Sequence, residues 1–307
     1  MRVYFHTFGC KANQYDTELV RQAFADQGAT PVEDPAHADV AVVNSCTVTA
    51  TAEAKMRSLV RRLARGNRGL ETVIMGCAAA LDDGTLRGLP SVRAVVGGAS
   101  PDAVLNAAGA APATAADPIL RRFERGGRAW LKIQDGCDEH CTFCATTLAR
   151  GDNRSRPMAE IVEEAKAMAE HHQEIVLTGV HIGTYGQDRE TGYEIRDTRS
   201  LGELVETLVR EVPRVRFRLS SVEATEVDDR LAELMIGAPD RLAPHLHAPL
   251  QSGSDRILKR MGRHWYTAQT YRARLEWLAA RLPVFGLGAD VMAGFPGESD
   301  ADHRATL

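Results

Sequence analysis

The sequence predicts an α/β fold in two parts, an N-terminal parallel-sheet domain followed by a partial β/α barrel of the TIM type. The chain has 307 residues, which suits two domains better than one. Short apolar runs alternate with longer amphipathic stretches, as in strand–helix units around parallel sheets. A stretch rich in Ala, Gly and Pro interrupts this alternation, so we place a first domain at 1–105, a linker at 106–122 and a barrel domain at 123–307.

The first domain is predicted to contain four strands and two long helices. The strands are Val3–Phe5, Val40–Val43, Thr72–Met75 and Val92–Val96, and the helices are Gln14–Gln27 and Ala52–Arg65. A single cysteine, Cys10, Cys46 or Cys77, follows each of the first three strands. Because loops at the carboxyl ends of parallel strands converge on one crevice, these three cysteines could meet at one point.

The second part is predicted to contain five strands with helices between them. The strands are Ala129–Ile133, Glu174–Thr178, Val215–Leu219, His245–Leu250 and Val284–Met292. The main helices are Met158–His172, Leu201–Val212, Asp255–Met261 and Thr267–Arg281. Five βα units with parallel strands indicate a partial or full β/α barrel. The sequence ends early in a further helical stretch, so we expect a C-terminally truncated chain that lacks the rest of the barrel.

Composition limits the possible functions only loosely. The net charge of −4 does not indicate a nucleic-acid binder, so any RNA contact must come from local basic groups. Three arginine groups are candidates: Arg57, Arg61, Arg62, Arg65 and Arg68; Arg121, Arg122, Arg125 and Arg128; and Arg150, Arg154 and Arg156. A solvated helix face is the alternative for the first group, whereas the third is better placed. With no basic-then-apolar leader and no apolar run near ~18 residues, we expect a cytoplasmic protein without a membrane partner.

The remaining cysteines, Cys137, Cys141 and Cys144, form a tight C-x3-C-x2-C triplet. Three thiolates at this spacing can bind three irons of a 4Fe–4S cube and leave the fourth iron open to a small chelating molecule. Structural zinc is the alternative, but closed zinc sites take four ligands, and His140 lies awkwardly inside the first gap. Disulfide pairing is disfavoured in a reducing compartment.

The triplet, with Phe143 directly before its last cysteine, resembles the motif of the radical S-adenosylmethionine (SAM) superfamily. The resemblance implies that the cluster passes an electron to bound SAM. The sulfonium bond then breaks, and a 5′-deoxyadenosyl radical forms that abstracts hydrogen from unactivated positions. Phe143 would back the adenine of SAM, and core packing is the compatible alternative for this residue.

The single cysteines lie in motifs that resemble those of the methylthiotransferase family. These motifs are Thr7–Glu18, Val43–Thr49 and Met75–Ala78. In that family three such cysteines bind an auxiliary 4Fe–4S cluster, which again has one free iron. A lone buried cysteine is usually a small hydrophobic residue, but three in family-like motifs favour the ligand interpretation. Asp16 and Glu18 are expected to organise the Cys10 loop or to start its helix.

The resemblance continues through the second part and covers almost the whole chain. The further family-like blocks are Arg150–Gly151, Arg154–Pro157, Gly179–Gly186, His245–Ser254 and Gly294–Glu298. Glycines of the third block would allow the backbone to approach a ligand closely. From this part of the chain we name six candidates for cofactor binding: Phe143, Gly179, His181, Ser220, Gln251 and Asp290.

The opening motif also indicates the substrate. Cys10-Lys11, followed by Asn13–Glu18, resembles enzymes that modify threonylcarbamoyladenosine at tRNA position 37. The alternatives are the enzymes for isopentenyladenosine-37, which usually have Gln-Met after this cysteine, and those for a ribosomal-protein aspartate, which usually have Pro-Lys-Asn. Two departures from the family are Ala12, where valine is more usual, and the absence from this sequence of the RNA-binding TRAM β-barrel.

The resemblance implies a reaction that uses two SAM molecules per product. One donates a methyl group to sulfur at the auxiliary cluster, and the other gives the radical that activates the adenine carbon between two ring nitrogens. This implies two 4Fe–4S clusters that face each other across the substrate, tRNA and SAM as partners, an electron donor and a sulfur source. A non-catalytic metal-binding scaffold, with zinc in one or both sites, is the alternative from another class.

Overall fold

The computed structural model describes residues 1–47, 49–111, 119–124, 126–188 and 200–307. It divides into two compact units, Met1–Glu124 with Ala145–Gly151 (unit 1) and Arg125–Cys144 with Asp152–Leu307 (unit 2). Seven residues of the predicted linker, 112–118, lie outside the described residues, as do Val48 and Arg125. None of the helices that the structure describes is long and apolar enough to cross a membrane.

Unit 1 is built around a five-stranded parallel sheet. Its strands are β1 (Arg2–Thr7), β2 (Thr30–Pro31), β3 (Val40–Ser45), β4 (Glu71–Gly76) and β5 (Val92–Gly97). Its helices are α1 (Lys11–Asp26), α2 (Ala50–Gly66), α3 (Cys77–Ala80), α4 (Pro101–Ala107) and α5 (Thr146–Arg150). The strand order is β2-β1-β3-β4-β5, and every neighbouring pair is parallel.

Both faces of this sheet are covered, which explains the apolar sequence of its central strand. All six residues of β3 are buried. Val42 packs in a cluster with Phe24 of α1, whereas its neighbour Val43 packs on the other face with Met56 of α2. Successive side chains of a strand point to opposite faces, so a strand covered on both sides needs an uninterrupted apolar run. The loops at the carboxyl edge of the sheet are thereby held on a rigid base.

Unit 2 contains seven strands in the described ranges, and five of them form an arc of parallel strands joined by helices. Its strands are β6 (Arg128–Lys132), β7 (Gln134–Asp135), β8 (Arg154–Ser155), β9 (Glu174–Thr178), β10 (Arg216–Leu219), β11 (His245–His247) and β12 (Gly286–Gly288). Its helices are α6 (Met158–Ala169), α7 (Leu201–Glu211), α8 (Asp229–Gly237), α9 (Asp255–Arg260), α10 (Ala268–Ala279) and α11 (Asp300–Thr306). The parallel sheets β10-β9-β6 and β11-β12 are linked by a parallel bridge between Ser221 and His247, whereas β7 and β8 form an antiparallel pair.

The predicted fold class is confirmed, and the differences lie in element lengths and in short elements. The predicted strands His245–Leu250 and Val284–Met292 are shortened to β11 and β12. Pro249 has no N–H to donate, and the N–H groups of Leu250 and Gln251 both turn to the carbonyl of Asp290, so regular pairing stops. Helices α4, α5 and α8 do not follow from the sequence pattern, because 7, 5 and 9 residues show too little of a helical period.

Candidate active site with two cysteine centres

The three single cysteines of unit 1 come together at the carboxyl edge of its sheet. Cys10 directly precedes α1, Cys46 follows β3, and Cys77 begins α3. The Sγ atoms of Cys10 and Cys77 each lie 3.9 Å from Asn13 Oδ1. A Cβ placed on Gly9 would lie 3.0 Å from Cys46 Sγ. Three separate loops therefore deliver three thiols to one place, which we call the first cysteine centre.

The buried amide of Asn13 connects the loops of the first centre. Its Nδ2 donates to the carbonyl oxygens of Phe8 at 2.8 Å and Ser45 at 3.0 Å, which belong to the Cys10 and Cys46 loops. Its Oδ1 accepts a hydrogen bond from Arg150 at 2.5 Å. The residue is 1% exposed, and leaving any of these groups unpaired away from water would cost about 1–3 kcal/mol. Asn13 therefore fixes the relative positions of the cysteine loops.

Two glycines directly before cysteines permit this close packing. Gly9 and Gly76 have φ values of +102° and +93°. The ψ of Gly76 is −157°, and this combination is accessible almost only to glycine. A Cβ on Gly76 would lie 2.8 Å from the carbonyl oxygen of Ser45 and closer still to the side chain of Asn44. A larger residue at position 76 would therefore displace the backbone that carries Cys46 or Cys77.

One buried ion pair lies beside the first centre. Arg150, the last residue of α5, places Nε 3.2 Å from Cys77 Sγ and Nη2 3.0 Å from Asp16 Oδ2. The side chains of Arg150 and Asp16 are only 9% and 2% exposed. Burial raises the pKa of the Cys77 thiol, and the guanidinium of Arg150 opposes that rise. Arg150 therefore favours the thiolate, the form of cysteine that binds metals.

The second cysteine centre lies in the loop after β7 and comprises Cys137, Cys141 and Cys144. The backbone N–H of Glu139 donates to Cys137 Sγ at 3.4 Å, and His181 Nδ1 lies 3.6 Å from the same sulfur. Arg263 Nη1 donates to Cys141 Sγ at 3.4 Å. Burial raises the pKa of the Cys141 thiol, and the charge of Arg263 opposes the rise. Arg263 thus donates a hydrogen bond to a cysteine sulfur of the second centre, as Arg150 does in the first centre.

A buried amide connects the loops around the second centre as well. Gln134 is fully buried, and its Nε2 donates to the carbonyl oxygen of Gly136 and to Asn153 Oδ1, both at 2.6 Å. Its Oε1 accepts from the backbone N–H of His181 at 2.8 Å. Because Gly136 directly precedes the first cysteine of the triplet, Gln134 joins the cysteine loop to the loop after β9.

Arg263 is held on its sulfur by a carboxylate and two aromatic rings. Its guanidinium forms an ion pair with Glu223, and the two side chains are 6% and 8% exposed. The guanidinium carbon lies 4.7 Å from the ring centre of Trp265 and 5.2 Å from that of Tyr266. Cations over aromatic faces are attracted by the ring quadrupole, so the rings add to the ion pair in fixing the position of Arg263.

Five of the six residues predicted to bind the cofactor follow the parallel strands of unit 2, and the sixth, Phe143, lies in the triplet loop. Gly179 and His181 follow β9, Ser220 follows β10, Gln251 lies beyond β11, and Asp290 lies beyond β12. In β/α barrels the active site lies at this carboxyl edge. Their distribution over four strands places them where a barrel enzyme binds its ligand, and their individual roles stay predictions.

Several of these candidates already have protein contacts. A Cβ on Gly179 would lie 2.6 Å from the carbonyl oxygen of Gln134, so the close approach that this glycine permits is to neighbouring backbone. His247 Nε2 lies 3.1 Å from Asp290 Oδ2. Phe143 is 37% exposed, so it is not part of the apolar core.

His181 joins the second centre to two carboxylates. Its Nε2 lies 2.6 Å from Glu226 Oε1, and ligand atoms of His181, Glu223 and Glu226 lie within 4.8 Å of one another. Burial opposes a charged ring, but the contacts with Cys137 and Glu226 outweigh it and raise the pKa of His181 to about 10. His181 therefore pairs with Glu226 and Arg263 with Glu223, so both carboxylates of this group already have a partner within the protein.

The arginine groups have different surroundings from those expected. Arg150 and Arg156, of the third group, form ion pairs with buried carboxylates. That group is therefore used largely within the protein rather than offered to RNA. Arg61, Arg62 and Arg65 of α2, by contrast, are exposed and form no ion pair with any residue in the described ranges.

Each centre offers the donor set of a 4Fe–4S cluster with one free iron, because each holds three cysteine thiols that are not joined in disulfides. The supporting residues Gln134, Glu223 and Arg263 do not follow from sequence reasoning, since none belongs to a ligand spacing. The signal that could identify a residue supporting the cysteine loops is a polar residue directly after an apolar strand. Gln134, which follows Ile133, is an example.

Known families match both parts of the chain. Residues 2–97 match a family described as uncharacterized protein family UPF0004. Residues 131–307, more than half of the chain, match the radical SAM superfamily. Together with the arc of βα units and the cysteine triplet, this match defines a radical SAM protein, a class that uses SAM and a 4Fe–4S cluster.

Similar individual proteins show which family of radical SAM proteins the chain belongs to. Threonylcarbamoyladenosine tRNA methylthiotransferase MtaB of Bacillus subtilis is 36% identical over 99% of this chain and 69% of its own length. The protein of the same name from Thermotoga maritima is 35% identical over 99% and 70%. The tRNA-2-methylthio-N(6)-dimethylallyladenosine synthase of Novosphingobium aromaticivorans is 34% identical over 98% and 70%. The chain belongs to the methylthiotransferase family that these proteins represent.

Replacing Gly76 with alanine should disturb the first centre without unfolding unit 2. The backbone conformation alone should cost about 1–3 kcal/mol, and the contact with Ser45 adds to that. We expect urea unfolding to show this loss and anaerobic reconstitution to give less iron. Gly84→Ala is the matched control, because Gly84 has a φ of +99° but nothing within 4 Å of its added Cβ. Equal stability and equal iron in the two variants would contradict the packing role of Gly76.

Proposed function

We propose that this chain is a tRNA methylthiotransferase that adds a methylthio group to the adenine ring of threonylcarbamoyladenosine-37. The observation that carries the proposal is the presence of two three-thiol centres, one in each unit. The second centre alone suffices for a radical SAM reaction. The first centre therefore has a different task, and sulfur transfer is a task that three further thiols fit. The opening motif and the names of two of the relatives favour threonylcarbamoyladenosine as the substrate.

In unit 2, the second centre would hold the 4Fe–4S cluster through Cys137, Cys141 and Cys144. When bound, this cluster and SAM supply an organic radical through reductive cleavage of SAM. Arg263 and the backbone N–H of Glu139 donate to the cysteine sulfurs and so stabilise them as thiolates. Phe143, within this loop, would position SAM together with the five candidates at the carboxyl edge: Gly179, His181, Ser220, Gln251 and Asp290.

In unit 1, the first centre would hold the auxiliary 4Fe–4S cluster through Cys10, Cys46 and Cys77. The buried hydrogen bonds of Asn13 keep the loops of this centre in place before any cluster binds. Arg150 favours the thiolate form of Cys77, as described above. The protein thus contributes a preformed set of ligands, while the bound cofactors supply the difficult chemistry.

Further partners follow from this proposal. The reaction needs an electron donor and a sulfur source, and both would act in the cytoplasm, where six cysteine thiols stay reduced. The exposed arginines of α2 are candidates for contacts with tRNA phosphates. We further propose that 1–105 forms the methylthiotransferase domain, 106–122 the linker and 123–307 the radical SAM domain.

Anaerobic reconstitution should give about eight irons per chain, as two four-iron clusters require. Replacing Cys137, Cys141 and Cys144 with alanine should halve this number and abolish cleavage of SAM. Iron and sulfide analysis together with visible absorbance tests this prediction. No more than about four irons in the intact protein would contradict the two-cluster proposal, and a colourless zinc protein would support the scaffold alternative.

Replacing Cys10, Cys46 and Cys77 with alanine should separate the two tasks. Methylthiolation should be lost, while reductive cleavage of SAM to 5′-deoxyadenosine should continue, because the second centre alone supplies the radical. The assay measures both products from one reaction. If cleavage also stopped in a folded variant that keeps about four irons, the proposed division of labour would be wrong.

Nucleoside analysis of tRNA from a strain that lacks this protein should decide the substrate. We expect loss of the methylthio form of threonylcarbamoyladenosine, with the unmethylthiolated nucleoside accumulating. The wild-type gene should restore it and a Cys46→Ala gene should not. Loss of the methylthio isopentenyladenosine instead would support the second candidate, which the Novosphingobium relative favours. Unchanged tRNA together with an altered ribosomal-protein aspartate would contradict a tRNA substrate.

A further inference from the structure

We propose that the buried Arg150–Asp16 pair sets the reduction potential of the iron–sulfur cluster held by the first cysteine centre. Arg150 acts through Cys77, so it is a positioning residue rather than a catalytic one. The inference rests on the proposed function, because it requires that the first centre holds a cluster. It goes beyond that function by assigning a task to two residues that are not themselves ligands.

Arg150 is committed to the first centre, although it lies six positions after the last cysteine of the second centre in sequence. By its contacts, α5 belongs to unit 1. The hydrogen bonds that fix the guanidinium include those to Cys77 Sγ at 3.2 Å, to Asn13 Oδ1 at 2.5 Å and to Asp16 Oδ2 at 3.0 Å. Gly151 ends α5 with φ +73° and ψ −159°, a conformation almost restricted to glycine, so the chain turns away directly after Arg150.

The surroundings make this charge effective at the cysteine sulfur. Both side chains of the pair are more than nine-tenths buried, and charges interact more strongly where water does not screen them. The reduction potential of an iron–sulfur cluster depends on local charge, hydrogen bonds to its sulfurs and solvent exposure. Reduction adds a negative charge, so the cation and N–H donor of Arg150 favour the reduced cluster. The carboxylate of Asp16, which contacts Nη2 of the guanidinium whereas Nε contacts the sulfur, carries the opposite charge and opposes part of that effect.

This arrangement predicts potential shifts of opposite sign for the two partners. Arg150→Gln removes the cation and should make the potential more negative. Asp16→Asn removes the opposing anion while its amide oxygen can still accept from Arg150, so the potential should become more positive. A purely structural pair would not give shifts of opposite sign, because loss of either partner would disturb the same packing.

The test is a dye-mediated redox titration, followed by electron paramagnetic resonance of the reduced cluster. The full chain carries alanine at Cys137, Cys141 and Cys144, so only the first centre contributes a signal. Arg156→Gln is the matched control, because Arg156 also pairs with a buried carboxylate, that of Glu164, but has no cysteine among its described hydrogen bonds. We expect this control to leave the midpoint unchanged.

The outcomes separate this inference from the proposed function. If the parent chain binds no cluster at the first centre, the proposed two-cluster function fails. If the parent holds about four irons and Asp16→Asn gives no shift or a negative one, the role of the ion pair is overturned. If the Arg150→Gln variant loses its cluster, two other variants decide whether the ion pair affects the midpoint potential. They are Arg150→Lys, which keeps the cation, and Asp16→Asn. A positive shift in Asp16→Asn alongside an unchanged control supports the inference.

Discussion

The hydrogen bonds of one buried amide, that of Asn13, hold the first centre together. Its nitrogen joins the loops that follow β1 and β3, and its oxygen positions the guanidinium that contacts Cys77. Parallel strands bring three loop starts to one edge of a sheet, but they do not set the distances between loops. Those distances depend on the amide of Asn13, whose hydrogen bonds are made away from water. Breaking one of them would leave a buried polar group unpaired, which costs free energy.

The second centre uses the same physical means on an unrelated scaffold. Gln134 ties the triplet loop to the loop after β9, and Arg263 donates to a cysteine sulfur while a carboxylate holds it. Each centre therefore combines one buried amide, one arginine on sulfur and one carboxylate behind that arginine. Clusters need anionic ligands, and thiolates that are partly withdrawn from water, as those of Cys77 and Cys141 would be, are stable only where donors and cations compensate them. The shared arrangement follows from that need.

The fold and the six thiols follow from the sequence, because periodicity, apolar runs and cysteine spacing are local signals. The strand β9 agrees with its predicted range, and the three single cysteines meet as strand order suggests. The supporting residues do not follow, because they act across long separations: Arg150 is 73 positions from Cys77, and Arg263 is 122 from Cys141. From the sequence alone, Arg150 is grouped with neighbouring arginines as a candidate for RNA contact. The structure instead shows it in contact with Cys77 and Asp16.

The position of α5 has a consequence for how this protein can be divided or recombined. Residues 145–151 lie within the barrel sequence but belong by their contacts to unit 1. A piece ending at residue 124 would leave Asp16, which is 2% exposed, without its cation, and a buried charge that loses its partner destabilises a protein by about 3–5 kcal/mol. The two halves are therefore not interchangeable modules, and a chimera of two family members must take Asp16 and Arg150 from the same parent.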